Sequence, residues 1–225
     1  MAVADPLGGG ECDSFLFTSI MKYTGPKARR CRRQGMNLYG ADKYDKILQR
    51  KPYPPGKSPR ARLGRLSEYA KQLKDKQRAR DVYGLSEKQF FRTYKDATIM
   101  QGQTGDNMKQ LLEQRLDNVL FRAGLARTRM EARQIAAHGH VLINGIRVTI
   151  PSYRLRPGQV ITLRDRSKRS PLFAEILESH EKVIPPSWMK IDPKEVRIDI
   201  LSLPVADDAE QIVDVRQVVE FYSRT

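Results

Sequence analysis

Val141-Leu142-Ile143-Asn144-Gly145-Ile146-Arg147-Val148-Thr149-Ile150 reads as a β-hairpin. Two runs rich in β-branched residues flank an Asn-Gly pair, which takes the positive φ angles of a type I′ turn at little cost. Immediately upstream, Thr128-Arg129-Met130-Glu131 is a capping box opening a short helix that Gly139 ends. Earlier still, Met108, Leu111, Leu112, Leu116, Val119 and Leu120 recur at helical spacing up to Gly124. That spacing predicts one helix, with Lys109, Arg115 and Arg122 off its apolar stripe. Downstream, Pro157-Gly158 turns the chain into a third strand, Val160-Ile161-Thr162-Leu163. Residues 107–169 therefore read as helix, helix and three short antiparallel strands, a compact α+β module.

The flanks have a different texture. Ser67 caps a predicted helix through Tyr83, with Gly84 as its stop, and Ser86-Glu87-Lys88-Gln89 opens another. After the module a short helix is expected from Pro171 to Ser179. Val196, Ile198 and Ile200 alternate as a half-buried strand, and Val215, Val218, Val219 and Tyr222 have helical spacing. These C-terminal elements are grouped with residues 21–106, which makes the first domain discontinuous.

Charge divides the chain in the same places. The total is +15 with a sequence pI near 10.0. Residues 1–20 sum to −3, residues 21–106 to +14, residues 107–169 to +9 and residues 170–225 to −5. A surplus of this size makes a polyanion the leading partner, because clustered Lys and Arg gain free energy by releasing its counterions. Nucleic acid ranks first. A membrane-spanning reading is excluded, since the longest stretch without a formal charge, Gln134 to Ile146, is far short of the ~20 apolar residues a span requires. Two cysteines, Cys12 and Cys31, suit a reducing, cytoplasmic location.

Taken together, several motifs resemble a known family. Arg115-Leu116-Asp117-Asn118, Ala132-Arg133-Gln134, His138-Gly139-His140, Ile143-Asn144-Gly145 and Pro151-Ser152-Tyr153-Arg154 look like the RNA-binding module named after bacterial small-subunit ribosomal protein S-four. Tyr23-Thr24-Gly25-Pro26-Lys27, Pro52-Tyr53-Pro54-Pro55-Gly56, Tyr83 to Phe90 and Val219 to Arg224 extend the match in order from Met21 to the C-terminus. The resemblance implies an α+β protein in which the module is inserted into a mainly helical N- and C-terminal domain. It also implies a structural component of the small ribosomal subunit, located there in the cytoplasm. Such a protein binds 16S-type rRNA early, nucleates the subunit body at a multi-helix junction, contacts ribosomal protein S-five and other small-subunit proteins, lies near incoming messenger, and influences decoding accuracy. Met21 is then the expected start, with residues 1–20 a dispensable extension.

Candidate RNA contacts follow from charge and resemblance. Lys27, Arg29, Arg30, Arg32 and Arg33 are five cations within seven residues, a run expected to be a mobile arm fixed only against phosphates. Arg60, Arg62 and Arg65, after Pro59, read similarly but more weakly. In the module Arg115 and Arg122 are expected to share a helical face, Arg129 and Arg133 to follow on the next helix, and guanidinium groups fork onto phosphate. His138, His140, Asn144, Arg147 and Arg154 complete the expected surface. Each has a structural alternative. Arg115 is within reach of Asp117 or Glu113, His138 can cap a helix, and Asn144 can be only a turn residue. Asp199, Asp207, Asp208, Glu210 and Asp214 are expected to face a protein, because carboxylates repel phosphate.

Other chemistry is poorly supported. Gly56-Lys57-Ser58 lacks the upstream glycine of a phosphate loop, Lys51 standing in its place. Arg115-Leu116-Asp117 resembles the catalytic stretch of pseudouridine synthases, but too little chain follows the module for a catalytic domain. No nucleophile with a base stands out, and an RNA-modifying factor is the alternative class. Zinc is not expected: where many family members carry a first Cys-x-x-Cys pair this chain has Ala28 and Cys31, so neither metal nor cofactor is implied.

Overall fold

The computed structural model describes Tyr23 and residues 25–60, 64–170, 173, 185–192, 195–205 and 208–224. The expected extension over 1–20, Arg62, Asp207 and nearly all of the expected helix after Pro171 lie outside the described residues. The chain opens with α1 (Lys27–Gln34), α2 (Asp42–Arg50), α3 (Glu68–Val82), α4 (Glu87–Ile99) and α5 (Thr104–Glu113). The module follows as α6 (Leu116–Arg122), α7 (Arg129–Ala137), β1 (Val141–Ile143), β2 (Ile146–Arg147), β3 (Val160–Leu163) and α8 (Asp165–Lys168). Then come β4 (Met189–Asp192), β5 (Arg197–Ile200) and α9 (Val215–Ser223).

Caps sit where side-chain chemistry puts them. Ser67 accepts a hydrogen bond from the Ala70 amide, Ser86 from that of Gln89, and Thr128 from that of Glu131. Each satisfies one of the orphan amides of a first turn. The hairpin turns at Asn144, φ 49°, and Gly145, φ 81°. Its second strand is shorter than expected: only Ile146 and Arg147 pair with β1, and Val148 adds one further bond to Val141 before the chain leaves the sheet.

The helix expected to run to Gly124 is broken. Arg115 has extended backbone, φ −67° and ψ 137°, and separates α5 from α6. The break is made by distant chain: the Leu155 amide donates to the Gln114 carbonyl, Leu116 to Tyr153 and Asp117 to Pro151. Backbone partners supplied from residues 151–155 of the same chain outweigh a continuous apolar stripe. Arg115 consequently does not share a helical face with Arg122.

Two hydrophobic cores result. One gathers α6, α7 and the sheet around Leu116, Leu120, Ile161, Trp188 and Ile198. The other gathers α1 to α5 and α9 around Phe90, Met108, Leu112 and Val218. Thus α9 packs with the N-terminal helices, and α5 does too. The strand through Ile198 goes the other way. The antiparallel sheet has the order β2-β1-β3-β5-β4, so β5 and β4 extend the module's own three strands. Ile198 pairs with Ile161 and is fully buried on the module core, a burial that its alternation predicts without saying where.

Candidate nucleic-acid interface

The cationic run at the N-terminus is a folded helix. Cys31, 1% exposed, and Gln34, 5% exposed, turn inward, and Gly35 closes α1 in the left-handed region at φ 78°. Self-repulsion is relieved from within. Arg30 pairs with the nearly buried Asp81 at 2.5 Å and covers the Tyr23 ring at 3.5 Å. Arg32 donates to the Tyr53 carbonyl at 3.0 Å and lies over its ring. Burial pushes the Asp81 carboxyl up despite Arg30 and Arg80, and it likewise pushes up the Cys31 thiol. Lys27 faces the Tyr39 ring at 5.6 Å. Arg29 and Arg33 are exposed and have no hydrogen bond or ion pair among the described residues. They share a concavity with Arg30, Arg80, Gln77 and Tyr23. Arg60 is exposed beyond Pro59.

The module's arginines are placed quite differently. Arg115 forks onto Asp117 with bonds of 3.1 and 3.0 Å, the pairing its sequence position allowed. Arg133 reaches the same Asp117 at 2.6 Å and donates to the carbonyls of Gly84 and Tyr83 at 2.6 and 3.2 Å. Glu113, 1% exposed, accepts from Tyr83 Oη at 2.7 Å, Asn118 Nδ2 at 2.6 Å and Arg122 Nε at 3.2 Å. Arg129 donates to Asn118 Oδ1 at 2.8 Å and to Glu210 at 2.5 Å, while its guanidinium covers the Phe121 ring at 4.4 Å. Arg122 also pairs with Glu210, at 3.3 Å. Burial pushes the Glu210 carboxyl up, but Arg129 and Arg122 outweigh it and hold the group below its ordinary value. Burial next to Glu113 raises the Tyr83 hydroxyl. Tyr83 is thus a core aromatic, whereas Tyr69 is 59% exposed and leans on Phe221.

A second cationic surface lies on the module's outer side. Arg147 is exposed on β2 and donates to the His138 carbonyl at 3.1 Å. His138 is the C-cap residue of α7, the capping role open to it from sequence. His140 bonds to Ser167 Oγ at 2.9 Å and packs edge-on against Phe173. Burial lowers its pKa, and His138, Arg147 and Arg164 push it in the same direction, so the local field is positive. Asn144 is structural: its Oδ1 accepts from the Val160 amide at 2.9 Å, tying the turn to β3. Arg154 pairs with Asp96 of α4 beside a groove that Arg92 and Arg115 also line. Arg92 and Arg164 were not singled out from sequence. Arg92 lies off the buried stripe of α4 formed by Phe90, Thr93 and Ala97, which is the signal that identifies it.

The acidic residues are mostly occupied. Asp199 pairs with Arg197, Asp214 caps α9 through the Arg216 amide, Asp208 accepts from Ser187, and Glu210 is turned inward. Among the described residues no group of three or more His, Cys, Asp or Glu is arranged to hold a metal ion, and no helix is long and apolar enough to cross a membrane.

Comparison with known proteins agrees with this architecture. Residues 22–113 match the ribosomal protein S4/S9 N-terminal domain, and residues 114–161 match the S4 domain, so the junction between the two matches falls at the end of α5, next to the Gln114–Arg115 break. Small ribosomal subunit protein uS4 of Corynebacterium kroppenstedtii is 43% identical over 205 residues, covering 91% of this chain and 100% of that protein. The uS4 proteins of Cutibacterium acnes and Geobacillus stearothermophilus are 45% and 42% identical, with the same 91% and 100% coverage. The chain belongs to the uS4 family of small ribosomal subunit proteins, rRNA-binding constituents of that subunit and not enzymes.

Proposed function

We propose that the chain holds rRNA through two outward cationic surfaces. The first is α1, with Arg29 and Arg33 leading and Lys27, Arg30, Arg32 and Arg60 beside them. The second is on the module, with Arg147, His138, His140 and Arg164, and next to it is the groove that Arg154 shares with Arg92 of α4. The observation that carries this reading is that Arg29 and Arg33 are exposed and make no hydrogen bond or ion pair among the described residues, in a region of net charge +14. Exposed guanidinium groups without internal partners are the ones able to release counterions from phosphate. Recognition is by shape and backbone, as suits folded RNA. A pair of surfaces on one body suits early assembly at a junction of several RNA helices.

A protein partner fits the C-terminal segment. Leu201, Leu203, Val205 and Ile212 are 59%, 43%, 55% and 41% exposed, an apolar run in the acidic quarter of the chain. We infer that this run, flanked by Asp208 and Asp214, meets a basic neighbour such as ribosomal protein S-five, and that decoding accuracy depends on this contact. Messenger near the same region is a further expected partner.

Filter binding of a small-subunit rRNA fragment across a salt series tests the RNA reading. Replacing Arg29 and Arg33 by Gln should lower the slope of log affinity against log salt by roughly 1.4–1.8, at about 0.7–0.9 per phosphate contact. An unchanged slope would remove α1 from the interface. For the protein contact, Leu203→Asp should abolish cross-linking to S-five and raise stop-codon readthrough, with rRNA affinity intact. Loss of rRNA affinity instead would assign the segment to RNA.

A further inference from the structure

The two hydrophobic cores share no residue, and what lies between them is polar. Tyr83, Gly84 and Glu113 belong to the N-terminal body, whereas Asp117, Asn118, Arg122, Arg129 and Arg133 belong to the module. Glu210 lies on the segment crossing from β5 on one core to α9 on the other. Arg133 crosses the seam to the Tyr83 and Gly84 carbonyls, Asn118 and Arg122 cross it to Glu113, Arg122 and Arg129 both reach Glu210, and Asp117 holds Arg133 in place from the module side. Apolar packing there is interrupted by a cavity of 280 Å³ whose walls include Tyr39, Tyr44, Met130 and Arg133. Orientation between the bodies is therefore not set by one continuous core.

From this geometry we propose that the Arg122–Glu210–Arg129 clasp, backed by Arg133, fixes the angle between the two RNA-facing surfaces. Arg122, Arg129 and Arg133 are then positioning residues for RNA binding and not phosphate contacts. The inference rests on the rRNA reading above and revises the sequence expectation for these three arginines. Their forks are filled by Glu113, Glu210, Asp117 and two backbone carbonyls, which leaves little of any of them to offer a phosphate. Two surfaces on one body bind a folded RNA together only if their spacing matches it, and loosening the joint lowers the effective concentration of the second surface for its site.

The two accounts give opposite signs for one variant. Glu210→Lys removes an anion beside Arg122 and Arg129, so it should tighten rRNA binding if those arginines face phosphate. The clasp instead requires weaker binding, about tenfold, with no flattening of the salt slope. Glu210→Gln, which preserves shape and folds more safely, should shift affinity in the same direction by less. In the free protein, spin labels at Lys46→Cys on α2 and Ile146→Cys on β2, in a Cys12→Ser background, should give a single narrow distance that broadens in both Glu210 variants. Tighter binding by Glu210→Lys, or a label distance unchanged in both variants, would overturn the clasp. Failure of the wild-type chain to bind the fragment would instead overturn the rRNA reading.

Discussion

Arg33 and Arg133 are the same residue type, each in a basic region of the chain, yet one is exposed on α1 without an ion pair among the described residues and the other is spent inside the seam. The difference is not local sequence. Arg133 faces Asp117 and two carbonyls at the end of α3, whereas Arg33 lies on the solvent face of the last turn of α1, where a cation is also favoured by the helix dipole. Net charge locates a polyanion-binding protein. It does not say which cations touch the polyanion, because a carboxylate brought in from far along the chain can claim a guanidinium first. Glu210 does this to Arg129 across 81 residues.

The contrast can be broken at several strengths. The largest effect is expected from Asp117→Ala, which strands Arg115 and Arg133 beside a carboxylate position that is 4% exposed. Urea unfolding should show a loss of about 3–5 kcal/mol, the usual cost of removing one partner of a buried pair. Tyr83→Phe takes one donor from the buried Glu113 and should cost about 1.5–3 kcal/mol by the same measurement. Glu210 supplies a pH signature. Its carboxyl is held below its ordinary value of 4.5, so its contribution is complete above that pH and is lost as pH falls through the folded value. The stability gap between wild type and Glu210→Gln should therefore narrow on acidification, and a gap constant from pH 7 to pH 3 would contradict the pairing. The smallest effect belongs to Arg33→Gln, which should leave stability within about 0.5 kcal/mol, as for surface positions generally.

Elements defined by their own residues are legible in the sequence. The Asn144-Gly145 hairpin, the Ser67, Ser86 and Thr128 caps and the Gly84 stop all appear where local chemistry puts them. Features made by partners distant in sequence are not. The Gln114–Arg115 break depends on backbone from residues 151–155, and β5 joins β3 from beyond the intervening α8. The expectation of a mobile arm erred for a related reason. Counting charges over Lys27 to Arg33 overlooks Ala28 and Cys31, spaced to face a core, and the Asp81 that receives Arg30. For the site, α1 and Arg147 could be nominated from sequence, but the seam could not, since Glu210 reads as a surface acid until its partners are seen.

Arginine modification by phenylglyoxal, mapped by peptide mass spectrometry on the free protein and on its complex with the small-subunit rRNA fragment, tests the division most directly. Arg29, Arg33 and Arg147 should react in the free protein and be shielded by RNA, whereas Arg115, Arg129 and Arg133 should resist modification equally in both states. Reactive seam arginines that only RNA protects would contradict the account, because they would be phosphate contacts after all.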